Sequence, residues 1–222
     1  MTTFQIKISD VLVAAIAPLG FERDEKQICR LWNNSGTICC AIAPKKFTHS
    51  DYYTVEIGFI CPTISSWQGL RSDNGLKPDA ANLYGVLFRM EQLDIKQGYI
   101  FPPGGWQISK HTEFELFAAL LRDEFVSKLQ SSVHRLMSIE GWINYFRNEV
   151  TAFDRGRGTS WSLLGYSMLA CPSISNEEIE QVINAHASQD GSIKYQNKIE
   201  MDVQKQRALL RKRMPGDVPP QF

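Results

Sequence analysis

Between Gln27 and Phe59 the apolar residues recur at every second position, on segments short enough to be strands, and helical spacing takes over on either side. A strand of period two buries one face and needs another layer to cover it. The chain is therefore expected to form an α+β fold: an antiparallel sheet of four or more strands packed against helices on one face, followed by a helical C-terminal half.

Local signals place the pieces. Ile8, Val11, Leu12, Ala15, Ile16 and Leu19 form one apolar stripe on a helix from about Ile6 to Ala17, which Pro18 and Gly20 stop. A strand near Gln27 to Trp32 runs into Asn33-Asn34-Ser35-Gly36, residues that tolerate a tight reversal. Centring that turn between Asn34 and Ser35 sets Cys29 opposite Cys40 and Leu31 opposite Ile38. The loop from Pro44 to Asp51 then sets Ile42 opposite Tyr53, Cys40 opposite Val55 and Ile38 opposite Ile57. Both pairings gather the large apolar residues on one side. They leave Arg30, Cys39, Thr54 and Glu56 on a mixed, wetter face. Pro62 to Asn82 reads as a long loop around Trp67 and Leu70. Tyr84 to Met90 resumes strand alternation and carries Arg89.

Beyond His111 the period becomes helical. Phe114, Phe117, Leu121, Phe125 and Leu129 mark one helix; Ile139, Trp142, Ile143, Phe146 and Val150 mark another, capped by Ser138. A short helix passes through Leu163, Leu164 and Met168. Ser175-Asn176-Glu177-Glu178 fits a capping box for a helix carrying Ile179, Val182 and Ile183. The last helix is expected from about Lys198 to Arg213, and the prolines after Met214 cannot continue it. This organisation predicts a single α+β domain over 1–190 and a helical extension with a flexible tail over 191–222.

A chain of 222 residues buries roughly 70% of its extended surface and folds without a metal or disulfide. Lys plus Arg equals Asp plus Glu at 24 each, so no global field draws the chain to nucleic acid or anionic lipid. No apolar run approaches the roughly 20 residues of a membrane helix. The N-terminal Met-Thr-Thr-Phe-Gln-Ile-Lys lacks the apolar core of a signal peptide, which favours a cytoplasmic location. The five cysteines, odd in number, read as reduced thiols.

No constellation marks a reaction centre, and no catalytic residue, cofactor or metal is expected. The histidines His49, His111, His134 and His186 are scattered, and Cys39 and Cys40 point to opposite faces of a strand. Gly165-Tyr166-Ser167-Met168 lacks the second glycine of a nucleophile elbow and sits in a helical zone. Glu113 beside His111 suits a helix N-terminus through its charge. Arg155-Gly156-Arg157-Gly158-Thr159 has the makings of an anion cradle but no Walker lysine and no preceding strand. Arg89 is expected beside Glu56 as a structural ion pair, with a ligand-facing role as the alternative. The basic run Lys205, Arg207, Arg211, Lys212 and Arg213 suits a helix C-terminus.

The order of elements resembles the bacterial family of domains of unknown function numbered 4304. Leu19-Gly20-Phe21-Glu22-Arg23 is similar to the motif that follows that family's first helix. Tyr53-Thr54-Val55-Glu56-Ile57-Gly58-Phe59 resembles its strand segment, Arg89 its arginine in an apolar strand, and Trp106 its tryptophan after a variable loop. The resemblance runs from Ile8 to about Phe146. It departs from the family where Ala43-Pro44-Lys45-Lys46 replaces a Gln-Lys-like pair. It implies no reaction, cofactor or catalytic residue.

These readings favour a noncatalytic protein- or peptide-binding module, of an immunity or regulatory kind. Its ligand or partner surface is expected around Trp67, Arg89, Trp106, His111, Arg155 and Arg157, with a protein partner or a second copy of the chain as occupant. The alternative is a small-molecule or phosphate-binding enzyme whose site assembles only in three dimensions, from Arg89, His111, Glu113 and the Arg155 to Thr159 loop.

Overall fold

The structure, a computed structural model, describes residues 3–25, 27–46, 53–69, 86–89, 108–149, 159–189 and 193–213. They belong to two compact units, Met1–Pro62 with Arg71–Met137, and Thr63–Leu70 with Ser138–Phe222.

The first unit opens with helix α1 (Thr3–Ile16), whose stripe buries Ile8, Leu12, Ala15 and Ile16. Pro18 turns it into a single 3-10 turn, Ala17–Leu19, and Gly20 closes that turn at φ +86° with its N–H on Ala17 O at 2.9 Å. Only glycine enters that left-handed region at little cost. The strands β1 (Glu22–Arg23), β2 (Cys29–Trp32), β3 (Cys39–Lys46), β4 (Tyr53–Ile60) and β5 (Val86–Arg89) follow. They form a five-stranded antiparallel sheet in the order β1-β2-β3-β4-β5. The expected α+β architecture is therefore present.

Asp24 organises the first reversal. It accepts Ile28 N at 2.9 Å on Oδ1 and Arg30 Nε and Nη2 at 2.9 and 2.7 Å on Oδ2. Asn33 organises the second by accepting Thr37 N at 2.8 Å and Ile38 N at 3.1 Å, while Gly36 takes φ +68°. These side-chain bonds move the centre of the turn toward Gly36. As a result Cys29 pairs with Ile42 and Leu31 with Cys40, two residues away from the sequence expectation. The next hairpin pairs Ile42 with Ile57, Cys40 with Phe59 and Pro44 with Val55, four residues away. Its strands run on past Pro44, where the residue pattern predicts the start of the loop. Pro44 is tolerated because β3 has no β2 partner beyond Ile42, so one edge of the strand there has no ladder that a missing N–H would break.

Even-numbered slips preserve the side chains' faces. Cys40, Ile42, Tyr53, Val55, Ile57 and Phe59 still share one buried face. α1 covers it: the Phe4 ring lies 5.3 Å from Tyr53 and 5.7 Å from Phe114. The opposite face differs from expectation. Cys39, Thr54 and Glu56 are buried, and Ile28, Ala41, Ala43 and Ile60 make an apolar cluster there. Small residues hide this second buried face from the sequence pattern, since Ala and Cys alternate weakly in hydropathy yet allow close approach.

Phe114–Leu120 (α3), a π-helical turn at Leu121–Phe125 and Val126–Leu136 (α4) form one continuous helix. Phe117, Leu121, Phe125 and Leu129 are all fully buried. Steps of four drift about 40° each on an α-helix of 3.6 residues per turn, and the wider π turn winds them back onto one face.

The second unit contains α2 (Pro62–Trp67) from Thr63 onward, α5 (Ile139–Asn148), α6 (Thr159–Ala170), α7 (Asn176–Ala187) and α8 (Ile193–Lys212). Ser138 caps α5 by accepting Gly141 N at 3.0 Å, and Ser175 caps α7 by accepting Glu178 N at 3.2 Å, as expected. From Ser162 to Leu169 every residue of α6 is buried, so it is the central helix, packed by α5, α7 and α8. α8 begins five residues before the expected Lys198 and buries Ile199, Val203, Gln206 and Leu210. Among the described residues no helix is long and apolar enough to cross a membrane.

Candidate functional site

The residues singled out in the sequence fall in different places. Trp67 ends α2 half-buried, its ring 6.4 Å from Tyr166. Arg89 ends β5 directly opposite Glu56, the neighbour expected for it. Its side chain, like Trp106, Arg155 and Arg157, lies outside the described residues. His111 is exposed in a turn that Ser109 and Thr112 close, its N–H donating to Ser109 Oγ at 3.2 Å. Glu113 holds the N-cap position of α3 with no side-chain cap bond, leaving its charge at the positive end of the helix dipole.

The thiols of the sheet are poor nucleophiles. Burial pushes both Cys29 and Cys39 up to about 11, against the partial pull of Arg23 on the first and Arg30 on the second. Cys40 is also held well above the ordinary thiol value by burial. Among the described residues no three His, Cys, Asp or Glu side chains converge as a metal site would require.

The helical unit carries two features that no local motif announces. One is a half-open groove of about 270 Å³ between α5, α6 and α7. Phe146, Trp161, Leu164 and Val182 supply its apolar lining, and Arg147, Ser160, Glu178 and Gln181 its polar margin. Phe146 and Leu164 are buried in the unit's core, while Trp161 and Val182 are half-exposed to the groove's side. Arg147 Nη2 reaches Glu178 Oε1 at 3.4 Å, with both side chains exposed enough to be screened by solvent. The lining is dispersed over three helices, so only the apolar periodicity of each could be read locally.

The other feature is a polar network inside the unit. Asp202 on α8 accepts Tyr166 OH at 3.0 Å and the Ser162 hydroxyl, both from α6. Gln206 Nε2 donates to Ser162 O at 2.8 Å. Its amide lies where a Cβ on Gly165 would come within 2.8 Å, so glycine is what makes room for the Gln206 amide against α6. Burial, reinforced by the Asp202 carboxylate, pushes the Tyr166 phenol up. The network ties helices together; its hydroxyls and phenol are protonated and enclosed, and Ser167 spends its hydroxyl on Leu163 O at 2.7 Å within α6.

Lys205, Arg207 and Arg213 of the basic run on α8 are engaged internally. Lys205 donates to Gln68 O at 3.3 Å and Arg207 to Asn184 Oδ1 at 2.8 Å. Arg213 donates to the carbonyls of Met168, Cys171 and Ile174 at 3.1, 2.7 and 2.8 Å, capping the end of α6 and the turn beyond it.

No family model matches this chain, and no curated protein and no solved structure matches it.

Proposed function

We propose that this chain is a noncatalytic protein- or peptide-binding module, of an immunity or regulatory kind, and that the groove between α5, α6 and α7 receives a large apolar side chain of the partner. The observation that carries the reading is the groove itself: about 270 Å³ with an apolar lining and a charged margin. Sites for drug-sized ligands run from roughly 300 to 1,000 Å³, so this one suits a single anchoring side chain better than a whole metabolite. Trp161 offers a rigid aromatic wall of the sort that concentrates binding energy, and Arg147 and Glu178 offer polar partners to a bound backbone. The exposed His111 and, on sequence grounds, Arg89, Trp106, Arg155 and Arg157 are proposed as partner contacts of their own units, apart from the groove. Trp67 enters the proposal only through its uncovered edge. The enzyme alternative draws less support, because the Ser162 hydroxyl and the Tyr166 phenol that gather on Asp202 are buried and spend their protons on it.

The test is selection of displayed random peptides on the full chain, followed by calorimetry. Trp161→Ala and Val182→Asp, each with an unchanged circular dichroism spectrum, are expected to weaken the selected peptides at least tenfold, about 1.4 kcal/mol. Peptides that bind both variants as well as the native chain would contradict the proposal. Light scattering of the free chain separates a homodimer, in which a second copy covers the groove, from an unoccupied monomer.

A further inference from the structure

His186, Gln206 and Asp202 lie inside the helical unit and are not used by the binding role. His186 is 1% exposed and Gln206 fully buried, yet His186 Nδ1 and Gln206 Oε1 have no hydrogen-bond partner. Gln206 cannot turn its amide over, since its Nε2 donates to Ser162 O and a reversed amide would set two acceptors face to face. Its close fit against Gly165 keeps it from swinging away. The Gln206 side chain lies near enough to the His186 imidazole to favour its protonated form, and an Nδ1–H tautomer is the one that can offer a donor to Gln206 Oε1.

We propose that His186 is an acid-sensitive latch between α7 and α8: carrying one proton it faces Gln206 and keeps α7 docked, and a second proton places in the helical interior a charge that Asp202 and Gln206 only partly offset, which loosens α7. Of the charged groups on the packed helices, Asp202 alone acts on it. From α8, Asp202 is the anion that attracts an imidazolium, while its two oxygens also accept the Ser162 and Tyr166 hydroxyls of α6. Arg207 of α8 is engaged with Asn184 and Glu180 of α7, and Arg213 with carbonyls at the end of α6 and in the turn beyond it. Burial outweighs the pull of Asp202 and of the Gln206 amide, so the imidazole is held below its usual range.

A histidine whose folded pKa is depressed stabilises the fold fully above its unfolded value, about pH 6.5, and that contribution is lost as the pH falls toward the folded value. In that window unfolding takes up one proton, so the folding constant drops by at most tenfold per pH unit. Urea unfolding of the full chain from pH 8 to pH 5, compared with His186→Gln, reads this directly. The native chain is expected to lose stability below pH 6.5 more steeply than the variant, which keeps an amide donor and cannot titrate. Equal slopes overturn the proposal. Should His186→Gln not fold, imidazole NMR of the native chain decides, with His186 assigned by elimination using His49→Gln, His111→Gln and His134→Gln. A His186 resonance titrating below the ordinary histidine value of about 6.5 supports the latch, and one titrating at or above that value overturns it.

Discussion

At position 165 only a hydrogen fits. The Gln206 amide is tied to Ser162 O on one side and stands 2.8 Å from where an alanine Cβ would be placed. Gly165→Ala therefore displaces the Gln206 amide and costs its bond to Ser162 O, and should destabilise the chain by about 1 kcal/mol despite alanine's better helix propensity. Urea unfolding with an unchanged m-value measures it; a stabilised variant would show that the amide is not so closely held. Single residues with strictly local duties are those the sequence makes legible. Gly20 stopping α1, Ser138 and Ser175 capping helices, and Glu113 at a helix start all act on backbone within a few positions. Gly165 was legible only as an incomplete nucleophile motif, because its reason lies on α8, more than a helix length away in sequence.

At the scale of elements, strand existence and facing were legible and register was not. Alternation from Cys29 to Phe59 specifies which side chains share a face, and a slip of two or four leaves that unchanged. The register itself depends on Asn33 bonding Thr37 and Ile38 and on Pro44 continuing the strand, neither of which alternation encodes. The second buried face escaped for a similar reason: Ala41, Ala43 and Cys39 carry little hydropathy contrast. The end of α8 is held by a different kind of contact, one guanidinium shared among three carbonyls. Arg213→Ala should lower stability by about 2 kcal/mol, since bonds to a charged donor contribute roughly 1.5–3 kcal/mol. Arg213→Lys should recover only part of this, because an ammonium lacks the planar fork. Full recovery in the lysine variant, read by thermal melting, would reduce the contact to charge alone.

Across the whole molecule, burial of both faces of β3 and β4 turns attention from the sheet, where the sequence suggested an open face, to the helical unit. The groove there could not be read from the chain, since Phe146, Trp161 and Val182 each look like ordinary core positions until three helices bring them together. The most direct measurement of the central claim is two-dimensional NMR of the full chain titrated with a selected peptide. The binding-module account predicts saturable shift changes centred on Phe146, Arg147, Trp161, Leu164, Glu178 and Val182, with the strands β2 to β4 unmoved. Changes centred on the sheet, with the groove silent, would contradict it.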